Sequence, residues 1–424
     1  MLLSWKALTY ELSVLSDIRQ GNLLGSGEFG NVYEITSLEG STRNLEDTTE
    51  SSLENVSQIM DASQIMEASL QGQGDVESIK ARMIHYPMSK NGKPRYAVKR
   101  LRPQIKENLK ADAVIDLACE AQLLSRIIHP NIVRLRGTVG VPGSSRYMLI
   151  LDRLDGTLNE RLKDWRVRKK GAEGRRLFGK KDKLELASLF TERLLAAFDV
   201  ARALRCLHGK RILFRDLKPE NVGVDNRGDF RIFDFGLARE LKPKELVRSP
   251  DEYEVTGLTG SRRYMAPGEF ECKRWINGTQ SILLEKISPF LFPLDIAENV
   301  LCKNYGFSSD VYSFGIMFWQ MFALKTPFDK FDHAKHMDLV VNKGKRPSPI
   351  KSILSPTLHQ TMEKCWSENT KQRPTFDTIC DTLQDELIRI ESGNDSQQVL
   401  DRSNYLLDRS TKSTSESEIP RLFS

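Results

Sequence analysis

Long apolar runs are missing from this chain of 424 residues, and no stretch approaches the length needed to cross a bilayer as a helix. The opening MLLSWKALTYELSVL is interrupted by Lys6 and Glu11. It is a poor signal-peptide core and a better amphipathic helix or strand leading into a domain. Closely spaced cysteines are missing too. The six thiols (Cys119, Cys206, Cys272, Cys302, Cys365 and Cys380) lie far apart, with no CxxC. That spacing excludes the common zinc frameworks. It reads as reduced, mostly structural thiols, with Cys119 and Cys206 in apolar helical patterns. A cytoplasmic location is expected, with nuclear or peripheral-membrane recruitment left open. Strong charge imbalance is absent as well. A net charge of +6 favours acidic partners without demanding nucleic acid, and no nucleic-acid module accompanies it.

What is present suits a soluble globular chain with exposed polar segments: 39% hydrophobic and 28% charged residues. The length allows one large two-lobed domain or two to three smaller ones. GNLLGSGEFGNVYEI (21–35) reads as strand, glycine turn, strand. Residues 36 to about 93 lose apolar periodicity, carry the near-repeat SQIMDA/SQIMEA, and read as a mobile insertion between strands. RYAVKRL (95–101) is an expected strand, 111–128 a helix, and YMLILDRL (147–154) a buried strand with its exit. The stretch 161–183 is strongly basic and reads as a solvated insertion; a docking surface for an acidic partner is the sharper alternative. Leu194, Phe198, Ala201, Leu204 and Leu207 recur at helical spacing and predict a core helix. The tail after 392 reads as disordered.

Four short motifs carry chemistry. In Gly25-Ser-Gly27-Glu-Phe-Gly30-Asn-Val32, the glycines let backbone N–H groups approach phosphates, and Val32 is placed to cover a base. A dinucleotide fold uses the same spacing, but a helix must then follow, whereas VYEI reads as strand. Lys99 ends the apolar run Tyr-Ala-Val-Lys, and Glu120 lies on the next helix. The two read as a phosphate-neutralising lysine and its steering acid, or as ordinary surface charges. Their placement before HPNIVRL favours the former. In Phe214-Arg-Asp-Leu-Lys-Pro-Glu-Asn221, Asp216 can accept a hydroxyl's hydrogen bond, Lys218 can balance phosphoryl charge, and Asn221 offers an amide oxygen. Asp234-Phe-Gly236 adds a carboxylate, and such oxygens suit magnesium, a hard ion. Phosphoryl transfer needs this combination of positioning and charge neutralisation more than covalent help.

All four motifs, in this order, resemble the protein-kinase signature over roughly residues 19–392, insertions excluded. The resemblance implies an α+β bilobal fold: a small antiparallel β lobe with one key helix (19–154) after a lead-in (1–18), then a larger helical lobe (155–392) and the tail (393–424). It implies ATP and Mg2+ as cofactors and transfer of the γ-phosphoryl group to Ser/Thr of a protein substrate in signalling. Catalytic roles fall on Asp216, Lys218, Lys99 and Glu120, nucleotide contacts on Gly25, Gly27, Gly30, Val32, Ala97, Lys99, Asp152, Leu154, Asn221 and Asp234, and metal ligation on Asn221 and Asp234. Leu151 would be the gatekeeper, with 152–154 as the hinge. Lys218 in DLKPEN resembles Ser/Thr rather than tyrosine kinases, and SSDVYSFGIMFWQM and CWSENTKQRPTF resemble the tyrosine-kinase-like branch. Asp310 would brace the catalytic-loop backbone, and Ser261 would bond near Asp216 and Lys218. Phe214 stands where the family has histidine, and its packing role against Phe235 survives the change. Arg215 would receive a phosphate on Thr256 or Thr259, set there by an upstream kinase, with Ser249 and Tyr253 as weaker acceptors.

One segment departs from the family. Ala266-Pro267 is followed by Gly268–Ala297 before Glu298-Asn-Val-Leu, and removing those 30 residues restores MAPENVLCKNYGFSSDVYSF in frame. Gly268-Glu269-Phe270 can be encoded as GGT GAG TTT, a donor-like sequence, and Ser-Pro-Phe-Leu-Phe-Pro-Leu requires a pyrimidine-rich tract before an acceptor-like GCA GAG. The segment therefore reads as a retained intron, with a genuine docking insertion as the alternative. The family's glutamate after Ala-Pro pairs with Arg373; Glu298 or Glu269 would have to serve. A catalytically impaired scaffold is the rival reading, although Lys99, Glu120, Asp216, Asn221 and Asp234 are all present. A small-molecule kinase is the third, disfavoured by TGSRRYMAP.

Overall fold

The computed structural model describes residues 17–27, 30–39, 92–174, 182–246, 253, 260–267, 272–276, 279–282, 300–302, 306–350 and 353–392. The expected insertion from 40 to 91 and the tail beyond 392 lie outside these residues; 36–39 continue a strand. The chain divides into two units. The first runs to Thr157 and includes Gly223–Ala238; the second comprises Leu158–Val222 and the chain from Arg239 onward. The Asp234 segment thus groups with the first unit and not with the remainder of 155–392.

The first unit is built on an antiparallel sheet of five strands, β1 (Asp17–Ser26), β2 (Gly30–Glu39), β3 (Tyr96–Leu101), β4 (Leu135–Val139) and β5 (Met148–Asp152), in the order β1-β2-β3-β5-β4. Alternation sets its two faces. Ile35, Val98 and Ile150 are fully buried together on one face, flanked by Ile18, Tyr33, Tyr96, Val139 and Met148. Ala97 and Lys99 point the other way. Helix α1 (Glu107–Ser125) packs on β3 and β4, with Ala113, Leu117, Ala121 and Leu124 buried at helical spacing. Glu120 falls inside that stripe and is 2% exposed. Cys119, next to it, is exposed, which corrects its expected place on an apolar face.

The second unit is helical. Its helices are α2 (Leu158–Gly174), α3 (Lys183–Gly209), α4 (Phe307–Ala323), the short α5 (His333–His336), α6 (Pro356–Cys365) and α7 (Phe376–Ser392). Helix α4 is apolar nearly all round and is buried accordingly, the pattern of a central core helix. Helix α6 packs on α4 closely enough that a Cβ at Gly315 would sit 2.6 Å from Cys365 Cβ. The residues expected at the centre of α3, Leu194 to Leu207, are buried, and α7 lies against this helix.

The basic stretch differs from the solvated insertion expected of 161–183. Its residues up to Gly174 form α2, a packed helix. Trp165 is 1% exposed and donates its indole N–H to Glu192 at 3.1 Å, while Arg168 pairs with Glu185 (2.7 Å) and Glu192 (2.8 Å) on α3. Charge dominates the composition because only one side of α2 is buried. Within the unusual segment 268–297, strands Cys272–Ile276 and Thr279–Ile282 pair antiparallel, and the first also pairs with Val300–Cys302 beyond the segment. Among the described residues, no helix is long and apolar enough to cross a membrane.

Candidate active site

The first unit supplies a lysine held by two carboxylates. Strand alternation turns Lys99 toward α1, where its Nζ lies 2.6 Å from Glu120 Oε2 and 2.8 Å from Asp234 Oδ1. Burial alone would lower the Lys99 ammonium, but the carboxylates of Glu120 and Asp234 outweigh it and hold the group above its ordinary value. Burial pushes Glu120 up, opposed by the Lys99 charge; Glu120 Oε1 also accepts the Phe235 N–H at 3.2 Å. Asp234 adopts a left-handed backbone, φ 66°, and leaves its carboxylate 40% exposed. The ordinary-surface-charge alternative for Lys99 and Glu120 is therefore excluded: both are drawn into one buried pairing.

The glycine turn joins β1 to β2, with Gly25 opposite Val32 and Gly27 N–H donating to Gly30 O at 2.8 Å. A Cβ at Gly25 would meet nothing within 4 Å, whereas one at Gly30 would come 3.3 Å from Arg100 O. Val32 pairs with Lys99, and Ala97 with Leu151. Past Leu151, the Asp152 carboxylate is taken up by Arg136 (2.6 and 3.0 Å) and by Arg231 (3.6 Å). The Asp152 carboxylate is therefore committed to two arginines, and the Asp152 N–H donates to Arg134 O at 3.1 Å. Leu154 lies over Gly223, where a Cβ would come 2.3 Å from Leu154 Cδ1, so any larger residue there would have to displace the leucine side chain.

The second unit supplies a braced loop. Asp310, whose side chain is fully buried near the start of α4, accepts the Phe214 N–H and the Arg215 N–H, each at 2.9 Å, and faces His208 Nε2 at 2.9 Å. These anchors hold Arg215 at φ 69°. Beyond it, Asp216 Oδ2 accepts Lys218 Nζ at 2.7 Å and Asn221 Nδ2 at 2.8 Å. The Asn221 amide also donates to Asp216 O at 2.9 Å, so its NH2 faces inward and its oxygen is left to accept. Lys218 Nζ reaches Ser261 Oγ at 2.8 Å. Asp216 Oδ1 is buried and has no hydrogen-bond partner among the described residues.

The 260–267 segment is tied to both the loop and α4. A Cβ at Gly260, φ 121°, would come 2.4 Å from Arg215 O. Ser313 Oγ donates to Tyr264 O at 2.7 Å, and Tyr264 OH donates to Gln320 at 2.6 Å. Sequence reasoning missed His208, Gly260 and Tyr264. His208 stands one residue beyond the apolar series that defined α3, so helical periodicity carried no signal for it.

One further expectation changes. Tyr253 is not an exposed acceptor. It is 2% exposed among Leu213, Leu241 and Phe307, and its hydroxyl accepts from Arg211 at 3.2 Å. Thr256, Thr259 and Ser249 lie outside the described residues, as do Glu269 and Glu298. Arg373 donates to Ser367 O (3.0 Å) and Ser308 O (2.8 Å) and stacks on Tyr312.

The sheet-based unit carries a Lys–Glu–Asp cluster, and the helical unit carries a carboxylate-braced Asp–Lys–Asn loop; each is a residue set of the kinase class. The chain belongs to the protein kinase family: a protein kinase domain model matches residues 83–275, and a protein tyrosine and serine/threonine kinase model matches 295–383. The gap between the matches falls inside the unusual segment 268–297. Similar proteins include serine/threonine-protein kinase VIK of Arabidopsis thaliana, 30% identical over 68% of this chain and 54% of that protein. Dual specificity protein kinase shkC of Dictyostelium discoideum is 28% identical over 66% of this chain and 44% of its own length. Human receptor-interacting serine/threonine-protein kinase 1 is 25% identical over 61% and 33%. These are relatives of the tyrosine-kinase-like branch. The chain spans about half the length, or less, of these relatives.

Proposed function

We propose that this chain transfers the γ-phosphoryl group of ATP, with Mg2+, to serine or threonine hydroxyls of a protein substrate in signalling. One observation carries the reading. Among the described residues Asp216 Oδ1 is a buried acceptor with no partner, beside a lysine whose ammonium is already fixed. Leaving such an atom unsatisfied is costly, and a substrate hydroxyl is the donor it suits.

The residues divide the work accordingly. Backbone N–H groups of the 25–30 turn and the Lys99 ammonium hold phosphate oxygens. Lys218, fixed between Asp216 and Ser261, presents positive charge where phosphoryl charge develops. Asp216 orients the attacking hydroxyl. The Asn221 amide oxygen in the second unit and the Asp234 carboxylate in the first are each an oxygen donor of the kind magnesium takes, and magnesium would supply charge to neutralise phosphate. Lys218 following Asp216 favours Ser/Thr over tyrosine, although relatives include dual-specificity enzymes. Phosphorylation of Thr256 or Thr259 by an upstream kinase, drawing on Arg215, and a cytoplasmic location belong to the same proposal.

Transfer of labelled γ-phosphate to a generic protein substrate, followed by phosphoamino-acid analysis, tests it. Label on Ser/Thr that disappears in Asp216→Asn supports the reading; equal labelling by Asp216→Asn overturns it. The scaffold reading draws on the 268–297 segment, whose strand pairing ties it to Val300–Cys302. Transfer gained only when that segment is deleted would assign the scaffold behaviour to the insertion.

A further inference from the structure

We propose that the second unit carries an anion-selective peptide subsite beside its catalytic loop, and that the preferred substrate bears a carboxylate or phosphate side chain within two residues of the acceptor hydroxyl. This rests on the protein-kinase reading above and names the substrate class of that site.

A cavity of about 500 Å³ opens between the catalytic loop, the 261–264 segment and α5. Its walls include Lys218, Ser261, Arg262, Arg263, Phe331 and His336. Lys218 fixes the location, because the residue whose ammonium touches Asp216 Oδ2 at 2.7 Å also lines the cavity. An extended peptide advances ~3.3–3.6 Å per residue, so a side chain entering here belongs to a near neighbour of the residue at Asp216. The volume is that of a small pocket, with room for one or two side chains.

The charge in the cavity has one sign in excess. Lys218 is already paired with Asp216, so among the described lining residues Arg262 and Arg263 face one further carboxylate, the exposed Glu220. Arg262 is exposed, while Arg263 is half-buried, with its guanidinium on Pro327 O at 3.4 Å. The buried His336 senses the same field. Burial pulls its pKa down to about 4, and the guanidinium groups of Arg262, Arg263 and Arg346 add to the shift. Phe331, with Lys335 over its ring at 4.8 Å, supplies an apolar wall. Guanidinium forks match carboxylate and phosphate geometry, so a pair of them beside an apolar wall selects an anionic side chain.

The test uses the full chain and serine peptides with one aspartate, phosphoserine or lysine scanned from two residues before to two residues after the acceptor. Aspartate or phosphoserine at one of these positions should raise kcat/KM over lysine by about fivefold or more. The two anionic arms distinguish a carboxylate from a phosphate ligand. Arg262→Glu should reverse the ranking in favour of lysine. Equal rates for all peptides, or an unchanged ranking in Arg262→Glu, would overturn the proposal. Fluorescence anisotropy of the labelled peptides on Asp216→Asn reads the pocket without turnover. Acidic-peptide binding with no transfer by the parent chain would sink the kinase reading alone. Transfer without charge preference would sink the subsite alone.

Discussion

Removing the Asp310 carboxylate should damage both the fold of the second unit and the catalytic loop. The side chain is fully buried and receives two backbone N–H groups at 2.9 Å, with His208 Nε2 at the same distance. Hydrogen bonds to a charged acceptor contribute ~1.5–3 kcal/mol each, and the donors left behind stay buried. Asp310→Ala should therefore lose about 3–5 kcal/mol, a large part of the ~5–15 kcal/mol that holds a domain together. For a unit of this size that is a fall of roughly 6–20 °C in the midpoint of thermal unfolding. Arg215 is held at φ 69°, a conformation costing ~1–2 kcal/mol outside glycine, so the loop should relax and carry Asp216 with it. Misplacement by about 1 Å costs on the order of 100-fold in rate. Asp310→Asn keeps an acceptor and the shape, and should fall between parent and alanine variant in both assays. Thermal unfolding and phosphate transfer measured side by side decide the matter. An alanine variant within ~1 kcal/mol of the parent, with unchanged transfer, would refute the anchoring role.

Gly260→Ala places a Cβ 2.4 Å from Arg215 O at φ 121°, and should cost ~1–3 kcal/mol along with most phosphate transfer; a silent variant would show that the backbone there yields easily. His336 is neutral in the folded state, its pKa pulled down to about 4 by burial and by cationic neighbours. The unfolded chain takes up the extra proton below its ordinary value near 6.5, so His336 contributes stability that is complete above that pH and declines as pH falls toward 4, by at most about 3 kcal/mol. Urea titrations across that window should be visibly flatter for His336→Asn, and parallel curves would exclude the effect. Deleting Gly268–Ala297 should leave the kinase motifs continuous and raise transfer; transcripts that always cross the segment without a gap would exclude its being an intron.

Much of the site was legible in the chain because phosphoryl transfer needs particular side chains in a fixed order along a glycine turn, a strand, a helix and two loops. The glycine turn, Lys99, Glu120, the Asp216–Asn221 loop and Asp234 each announce themselves by residue type and order. Periodicity likewise marked α1, α3 and the buried strand β5, since a 3.6 or 2.0 repeat of apolar residues is local information. Composition misled where burial is one-sided. The basic stretch from 161 is a packed helix because Trp165 and Arg168 find partners on α3, which lies well along the chain.

Tertiary structure alone decided the relations between distant residues. It put Lys99 between two acids 21 and 135 positions away, gave Asp310 its three donors, and left Asp216 Oδ1 unpartnered among the described residues. It also buried Tyr253, tied up the Asp152 carboxylate and gathered Arg262, Arg263 and His336 around one cavity. Residue type fixes what a side chain can donate, accept or carry. Whether it does so depends on which partners packing brings within about 3 Å and on how much water remains, and neither is written in a linear order.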